Sequence, residues 1–70
     1  MEENRYKSNL KQLRMDRGLT IDELSQGTGI ASRTIKAIEK EEGSNPQLAT
    51  IKRLMGYLKI SFEELFPHEY

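Results

Sequence analysis

Four polar side chains that can donate hydrogen bonds recur at helical spacing near the middle of the chain. They are Ser32, Arg33, Lys36 and Lys40. On a helix these positions lie opposite Ile35 and Ile38, which are spaced as an inward-facing apolar pair must be. Hydroxyl, guanidinium and ammonium groups in such a row can bond to acceptor atoms and attract anions. The chemistry that this row indicates is therefore binding.

No combination of residues in the sequence indicates catalysis or a prosthetic group. There is no nucleophile paired with a base, no glycine-rich phosphate loop and no metal-ligating cluster. His68 is the only histidine, and the absence of cysteine excludes disulfides and thiolate metal sites. Adjacent carboxylates such as Asp22 and Glu23 fall in a predicted first helical turn, where capping explains them. We expect neither enzymatic activity nor a cofactor.

The residues before the polar row predict two helices joined by a tight turn. Ser25 is a small residue at the position where the two helices must approach closely. Gly29 follows four residues later and can adopt the positive φ that ends the first of these helices. This spacing is typical of a helix-turn-helix. On this stretch alone, the alternative is an ordinary helical hairpin whose polar outer face is only solvated.

Five helices and no strand are predicted from apolar periodicity, capping residues and helix breakers. The first three are expected from residue 5 or 6 to 18, from 20 to about 28, and from about 32 to 40. The fourth begins at 46 or 47 and includes residue 58, and the fifth spans 61–66. Thr20 with Glu23 and Ser61 with Glu64 form two capping boxes. Gly43 is the expected turn residue after the third helix.

We expect the core to consist of the apolar face of each helix. In the first helix this face begins with Tyr6, Leu10 and Leu13. In the last two helices it comprises Leu48, Ile51, Leu54, Met55, Leu58, Phe62, Leu65 and Phe66. The chain of 70 residues is near the size at which one core is marginal, so association with a partner or a second copy would stabilise it.

The composition predicts one soluble, cytoplasmic domain over residues 1–70, with short tails at 1–4 and 67–70. No apolar run approaches the ~20 residues that a membrane span needs, and the acidic N-terminus is unlike a signal peptide. The net charge is zero, which argues against a nucleic-acid partner. However, residues 1–40 hold eight basic and six acidic side chains, against three and five in residues 41–70. Positive charge is thus biased toward the half that carries the polar row.

With its flanking residues, the chain resembles the Cro/C1-type (XRE) helix-turn-helix family over about residues 6–66. The flanks that carry the resemblance are Leu10-Lys11-Gln12-Leu13-Arg14, Gly18-Leu19-Thr20, Asn45-Pro46 and Ser61-Phe62-Glu63-Glu64-Leu65-Phe66. The resemblance implies an all-α, compact five-helix fold like the lambda-repressor DNA-binding domain. It also implies a sequence-specific DNA-binding transcriptional regulator, and we expect a repressor that binds double-stranded DNA as a homodimer.

The resemblance also implies which residues contact DNA. Base-reading residues are expected at Ser32, Arg33, Lys36 and Ala37, on a helix that fits the major groove. Ala37 departs from the longer polar residue often found there, although its methyl group can contact a thymine methyl. Contacts to the DNA backbone are expected from Thr20, Thr34, Lys40, Ser44 and Asn45, because hydroxyls and helix starts suit phosphates. Family members often carry glutamine where this chain has Ile21, so we expect modest affinity.

Arg14 and Glu39 are implied by the resemblance to form an ion pair between the first and third helices. We therefore expect a structural role for both and assign neither to DNA. Removing one partner of such a pair would leave a costly unpaired charge.

A dimer interface is expected at Tyr57, Phe66 and Tyr70, because a two-fold dimer reads two half-sites and so gains specificity. Phe62 is expected in the core. The alternative function is a protein-interaction module on the same fold, such as an antitoxin or adaptor. Net neutrality and Ile21 favour that alternative, whereas the polar row and the flanks favour DNA.

Overall fold

The computed structural model describes residues 5–67 and contains five α-helices in that part of the chain. They are α1 (Leu10–Asp16), α2 (Ile21–Thr28), α3 (Ser32–Glu39), α4 (Leu48–Leu58) and α5 (Phe62–Leu65). The helix α2 packs against α3 and α4, and α1 packs against α3. The predicted all-α, five-helix architecture is confirmed. The tails at 1–4 and 68–70, including Tyr70, lie outside the described residues.

Both predicted capping boxes are present. The Thr20 Oγ1 atom accepts a hydrogen bond from the Glu23 amide at 3.0 Å, while Glu23 Oε1 accepts from the Thr20 amide at 2.9 Å. The same reciprocal pair joins Ser61 and Glu64 at the start of α5, at 3.1 and 2.8 Å. Each box satisfies two amide groups that would otherwise lack a partner at a helix start. The starts of α2 and α5 therefore follow directly from sequence.

The turn between α2 and α3 is fixed by hydrogen bonds from small residues. Gly29 has a φ of 77°, and its amide donates to the Ser25 carbonyl at 2.8 Å. The Ser25 hydroxyl donates to the Ile30 carbonyl at 2.5 Å, and Thr28 Oγ1 accepts from the Ile30 amide at 3.2 Å. Ser25 thus combines small size with a bond that closes the turn. The helix-turn-helix geometry sets the direction in which α3 leaves the turn.

The core receives side chains from every helix. The most completely buried side chains are Leu10, Leu24, Ile35, Ile38, Leu54 and Leu65. Three predicted core residues are instead exposed: Tyr6 by 51%, Leu48 by 66% and Phe62 by 47%. Leu48 and Phe62 are the first residues of α4 and α5, where the helix ends extend beyond the residues that cover the core. The assignment of these three side chains to the core was wrong.

The first helix begins at Leu10, not at residue 5 or 6 as predicted. Tyr6, Ser8 and Asn9 instead form hydrogen bonds with distant parts of the chain. Tyr6 forms an isolated antiparallel bridge with Ser44, with N–O distances of 2.7 and 3.0 Å. The Ser8 hydroxyl donates to the Ile38 carbonyl at 2.8 Å, and the Asn9 amide donates to the Leu65 carbonyl at 2.8 Å. Tertiary hydrogen bonds have overridden the helical periodicity of this segment.

A substitution at Gly43 would test how strongly this N-terminal segment is coupled to the loop after α3. Its φ is 90°, and an added Cβ would lie 3.1 Å from the Tyr6 carbonyl oxygen. We therefore expect Gly43→Ala to lower the free energy of unfolding by about 1–3 kcal/mol. Gly18→Ala is the matched control, because Gly18 has a φ of 68° with no atom within 4 Å of the added Cβ. The control should cost about 1 kcal/mol in urea denaturation. Equal losses in both variants would show that the bridge to Tyr6 adds nothing.

Candidate nucleic-acid interface

The helix α3 presents two different faces. Ile35 and Ile38 are buried and fix the helix on the core. Arg33 and Lys36 are exposed on the other side, as is Lys40 directly after the last turn. Ser32, Thr34 and Ala37 are half-buried at the edges of the exposed face. This polar face has the width and composition of a helix that can enter a DNA groove.

An open groove runs along one side of α3. It is lined by Arg33, Thr34, Ala37, Ile38, Ser44, Asn45, Pro46, Gln47 and Thr50. An adjoining depression is lined by Arg5, Ala37, Lys40, Glu42, Gly43, Ser44 and Asn45. The fold therefore brings the predicted contacts of α3 next to those of the loop that follows it. Thr20, Ser32 and Lys36 do not line this groove, although Lys36 is exposed on the same helix.

Gln47 and Thr50 are candidate contacts that sequence reasoning missed. Gln47 is the N-cap residue of α4, and Thr50 lies in its first turn on the groove side. A polar residue at a helix start directly after proline could have indicated them, because the first amide groups of a helix attract phosphate. Arg5 was also missed. It lines the adjoining depression and directly precedes Tyr6, which pairs with Ser44.

The residues predicted to contact the DNA backbone differ in whether their polar groups are available to bond to a phosphate. The Thr20 hydroxyl oxygen accepts the capping bond from Glu23, which leaves its hydrogen available for a phosphate. The Ser44 Oγ atom is buried and has no hydrogen-bond partner among the described residues. A contact from Ser44 to phosphate would thus require its side chain to change rotamer. Asn45, beside it, is exposed.

An ion pair between α1 and α3 fixes the C-terminal end of α3. Arg14 donates from Nε to Glu39 Oε2 at 2.7 Å and from Nη2 to Glu39 Oε1 at 3.2 Å. Its Nη1 atom donates to the Leu19 carbonyl at 2.7 Å, so the guanidinium also holds the loop before α2. The two side chains are only 11% and 8% exposed. The structure thus contains the contact that the family resemblance implied.

The electrostatics of this ion pair favour its charged form. Hydrogen bonding to Glu39, with a smaller contribution from its charge, raises the pKa of Arg14 against the opposing effect of burial. The stabilising contribution of a group whose pKa is raised on folding is fully present below its ordinary pKa. The guanidinium of Arg14 is therefore charged throughout the neutral pH range. It also offsets the unfavourable position of Glu39 in the last turn of α3.

Of the three residues predicted at a dimer interface, Tyr57 and Phe66 lie in the described part of the chain. Phe66 is only 7% exposed, and its ring lies edge-on to Tyr6 at 6.4 Å between centroids. Tyr57 is 43% exposed, but its ring covers Gly27 so closely that an added Cβ there would clash with the ring. Tyr70 is outside the described residues. Phe66 thus contributes to the chain's own core, and much of Tyr57 is used within the chain.

A different apolar surface is exposed beside the groove. Its pocket is lined by Tyr6, Asn45, Pro46, Ile51, Phe62 and Phe66. Leu48 is exposed at the start of α4 and lies three residues before Ile51, so the two side chains are neighbours on the helix surface. We call Tyr6, Pro46, Leu48, Ile51 and Phe62 the apolar patch. Pro46 belongs both to this patch and to the groove along α3, so the two surfaces adjoin.

Two other kinds of site are absent from residues 5–67. No helix there is long and apolar enough to cross a membrane. The same residues contain no group of three or more side chains that could hold a metal ion.

Comparison with known proteins agrees with this geometry. A family model described as "Helix-turn-helix" matches residues 10–65. An uncharacterized HTH-type transcriptional regulator of Bacillus subtilis, RghRB, is 43% identical over 56 residues, covering 80% of this chain and 40% of that protein. The HTH-type transcriptional repressor RghR of the same organism is 39% identical, covering 80% and 42%. An uncharacterized HTH-type transcriptional regulator of Coxiella burnetii is 36% identical, covering 89% and 29%.

The chain therefore belongs to the Cro/C1-type helix-turn-helix family, a family of DNA-binding regulators. The matched region spans less than half the length of each of these three relatives.

The ion pair between Arg14 and Glu39 can be tested by a double-mutant cycle. We expect Arg14→Met to lower the free energy of unfolding by about 3 kcal/mol, because Glu39 is left buried without its partner. Glu39→Gln in that background should recover part of the loss. Arg17→Met is the control, since the exposed Arg17 bonds only to carbonyls and should cost about 1 kcal/mol. Additive effects of the Arg14 and Glu39 changes in urea denaturation would contradict a coupled pair.

Proposed function

We propose that this chain acts as a sequence-specific DNA-binding transcriptional regulator that inserts α3 into the major groove. The observation that carries the proposal is the open groove in which Arg33, Thr34 and Ala37 of α3 lie beside Asn45 and Gln47. It combines long polar side chains on a rigid helix with polar groups of the next loop. A reading surface flanked by backbone contacts needs this arrangement.

The contacts divide into two groups under this proposal. Ser32, Arg33, Lys36 and Ala37 contact base edges, since they lie in the first two turns of α3. The residues that contact the DNA backbone are Thr20, Thr34, Lys40, Ser44 and Asn45. The structure adds Gln47 and Thr50 as candidates for this group. Backbone contacts position the protein, while base contacts select the sequence.

We further propose repression, by occupation of DNA that the transcription machinery needs. Support comes from the relative RghR, whose name describes a transcriptional repressor. The proposal requires no catalytic step and no cofactor, and it places the protein in the cytoplasm.

A homodimer bound to two half-sites completes the proposal, and the apolar patch is its best-supported contact surface. Tyr6, Leu48 and Phe62 alone leave on the order of 300–400 Å² of side-chain surface exposed per copy. Two copies then bury less than the roughly 1,200 Å² typical of stable complexes. The dimer should therefore be weak in solution and form mainly on DNA, where the first bound copy raises the effective concentration of the second.

The alternative, a protein-interaction module, is favoured by the same exposed apolar patch and by the zero net charge. Selection from a random duplex library separates the two functions. Our proposal predicts enrichment of an inverted repeat with half-sites about 10 base pairs apart. Recovery of no preferred sequence would shift the function to the protein-interaction module.

Arg33 and Lys36 should carry base recognition. We expect Arg33→Ala and Lys36→Ala each to weaken binding to the selected duplex by about 1–3 kcal/mol and to relax base preference. Lys11→Ala is the control, because Lys11 is an exposed lysine on α1 that does not line the groove. Fluorescence anisotropy would measure each affinity at fixed salt. Wild-type affinity in both α3 variants would show that this face does not read DNA.

Leu48 provides the test of the dimer surface. We expect Leu48→Gln to weaken self-association about tenfold or more, because two buried amides would lack partners at the interface. Met15→Gln is the matched control, since Met15 is 54% exposed on α1, away from the apolar patch. Sedimentation with the selected duplex would count the bound copies. If both variants still bound DNA two at a time with unchanged cooperativity, the apolar patch would not be the dimer surface.

A further inference from the structure

Asp22 connects the two helices of the helix-turn-helix at the end of α3 that faces DNA in the proposed complex. It is exposed in the first turn of α2, and its Oδ1 atom accepts a hydrogen bond from the Ser32 hydroxyl at 3.3 Å. Ser32 is the first residue of α3. The contact therefore joins a residue with no assigned role in DNA binding to a proposed base-reading residue.

The chemistry of this contact restricts what Ser32 can do. A serine hydroxyl has one hydrogen to donate and two lone pairs that accept. A carboxylate only accepts, so the hydroxyl must give its hydrogen to Asp22. What remains for a ligand is the accepting side of the oxygen atom. Ser32 alone could read either a donor or an acceptor, whereas Ser32 bonded to Asp22 can read only a donor.

We propose that Asp22 is a specificity-determining residue that makes the start of α3 select an exocyclic amine in the major groove. Such amines occur at N6 of adenine and N4 of cytosine, whereas guanine and thymine present only acceptors or a methyl group there. Asp22 makes the choice through Ser32, because it holds the hydroxyl hydrogen and so leaves only the accepting side of the oxygen for a base. This inference rests on the proposed function and names the base class that one position reads.

The neighbouring residues cannot supply the same restriction. Ile21 is apolar and packs against the core, so it cannot bond to Ser32. Ala31 is the N-cap residue of α3 and provides no side-chain cap. Asp22 is thus the side chain that the structure bonds to Ser32.

The test compares base preference in wild type, Asp22→Ala and Ser32→Ala on duplexes derived from the selected site. Each base pair is changed in turn to the other three, and the affinities are measured by anisotropy. At one base pair we expect wild type to favour adenine or cytosine on the contacted strand over guanine or thymine by about threefold to tenfold, the range of one hydrogen bond. Both variants should lose this preference at that base pair and keep the wild-type base preferences at all other base pairs. The double variant should lose no more than either single variant.

Asp16→Ala is the control for charge, because Asp16 is an exposed aspartate at the end of α1 that bonds only to Gln12. It should change affinity for all duplexes by one common factor. If Asp22→Ala did the same, Asp22 would act through charge alone and the inference would be wrong. A preference for guanine or thymine at the base pair affected by Ser32→Ala would also overturn it. Selection of no DNA sequence at all would overturn the proposed function together with this inference.

Discussion

The position of α3 depends on the guanidinium of Arg14. This group bonds to Glu39 at the end of α3 and to the Leu19 carbonyl before α2, so a single side chain from α1 fixes both helices of the motif. A planar group with several donors suits this task, since it can satisfy a carboxylate and a carbonyl together. Buried ion pairs of this kind add little net stability. Its value here is geometric, because the proposed reading of bases by α3 requires a fixed orientation of that helix.

The N-terminal segment could not be predicted from sequence because long-range contacts determine it, whereas the turn after α3 was predicted at Gly43. Local signals predicted the starts of α2 and α5, since a capping box lies within four residues. The start of α1 was predicted too early, because Tyr6 fits the helical period but pairs with Ser44. Phe62 and Phe66 show that the composition of the core could not be fully predicted from sequence either. Their rings are 5.3 Å apart, yet only Phe66 is buried, and periodicity in a helix this short cannot distinguish them.

The candidate site was predictable where it lies on one helix and unpredictable where it depends on neighbouring elements. Arg33 and Ala37 line the groove with Asn45, in keeping with the family resemblance. The bond from Asp22 to Ser32 had no such signal, because it depends on how closely the starts of two helices meet. In the proposed dimer, the apolar patch beside the groove links recognition to assembly, since Pro46 lines both surfaces.

Nuclear magnetic resonance titration with the selected duplex would test most directly whether α3 is the DNA-reading element. Amide shifts would be followed for the whole chain, together with the Nε–H signals of Arg14 and Arg33. The account predicts the largest changes in residues 32–40 and 43–50, a large change at Arg33 Nε, and little change at Arg14 Nε, which remains bonded to Glu39. Largest changes in α1 or α5, with α3 unaffected, would contradict the account.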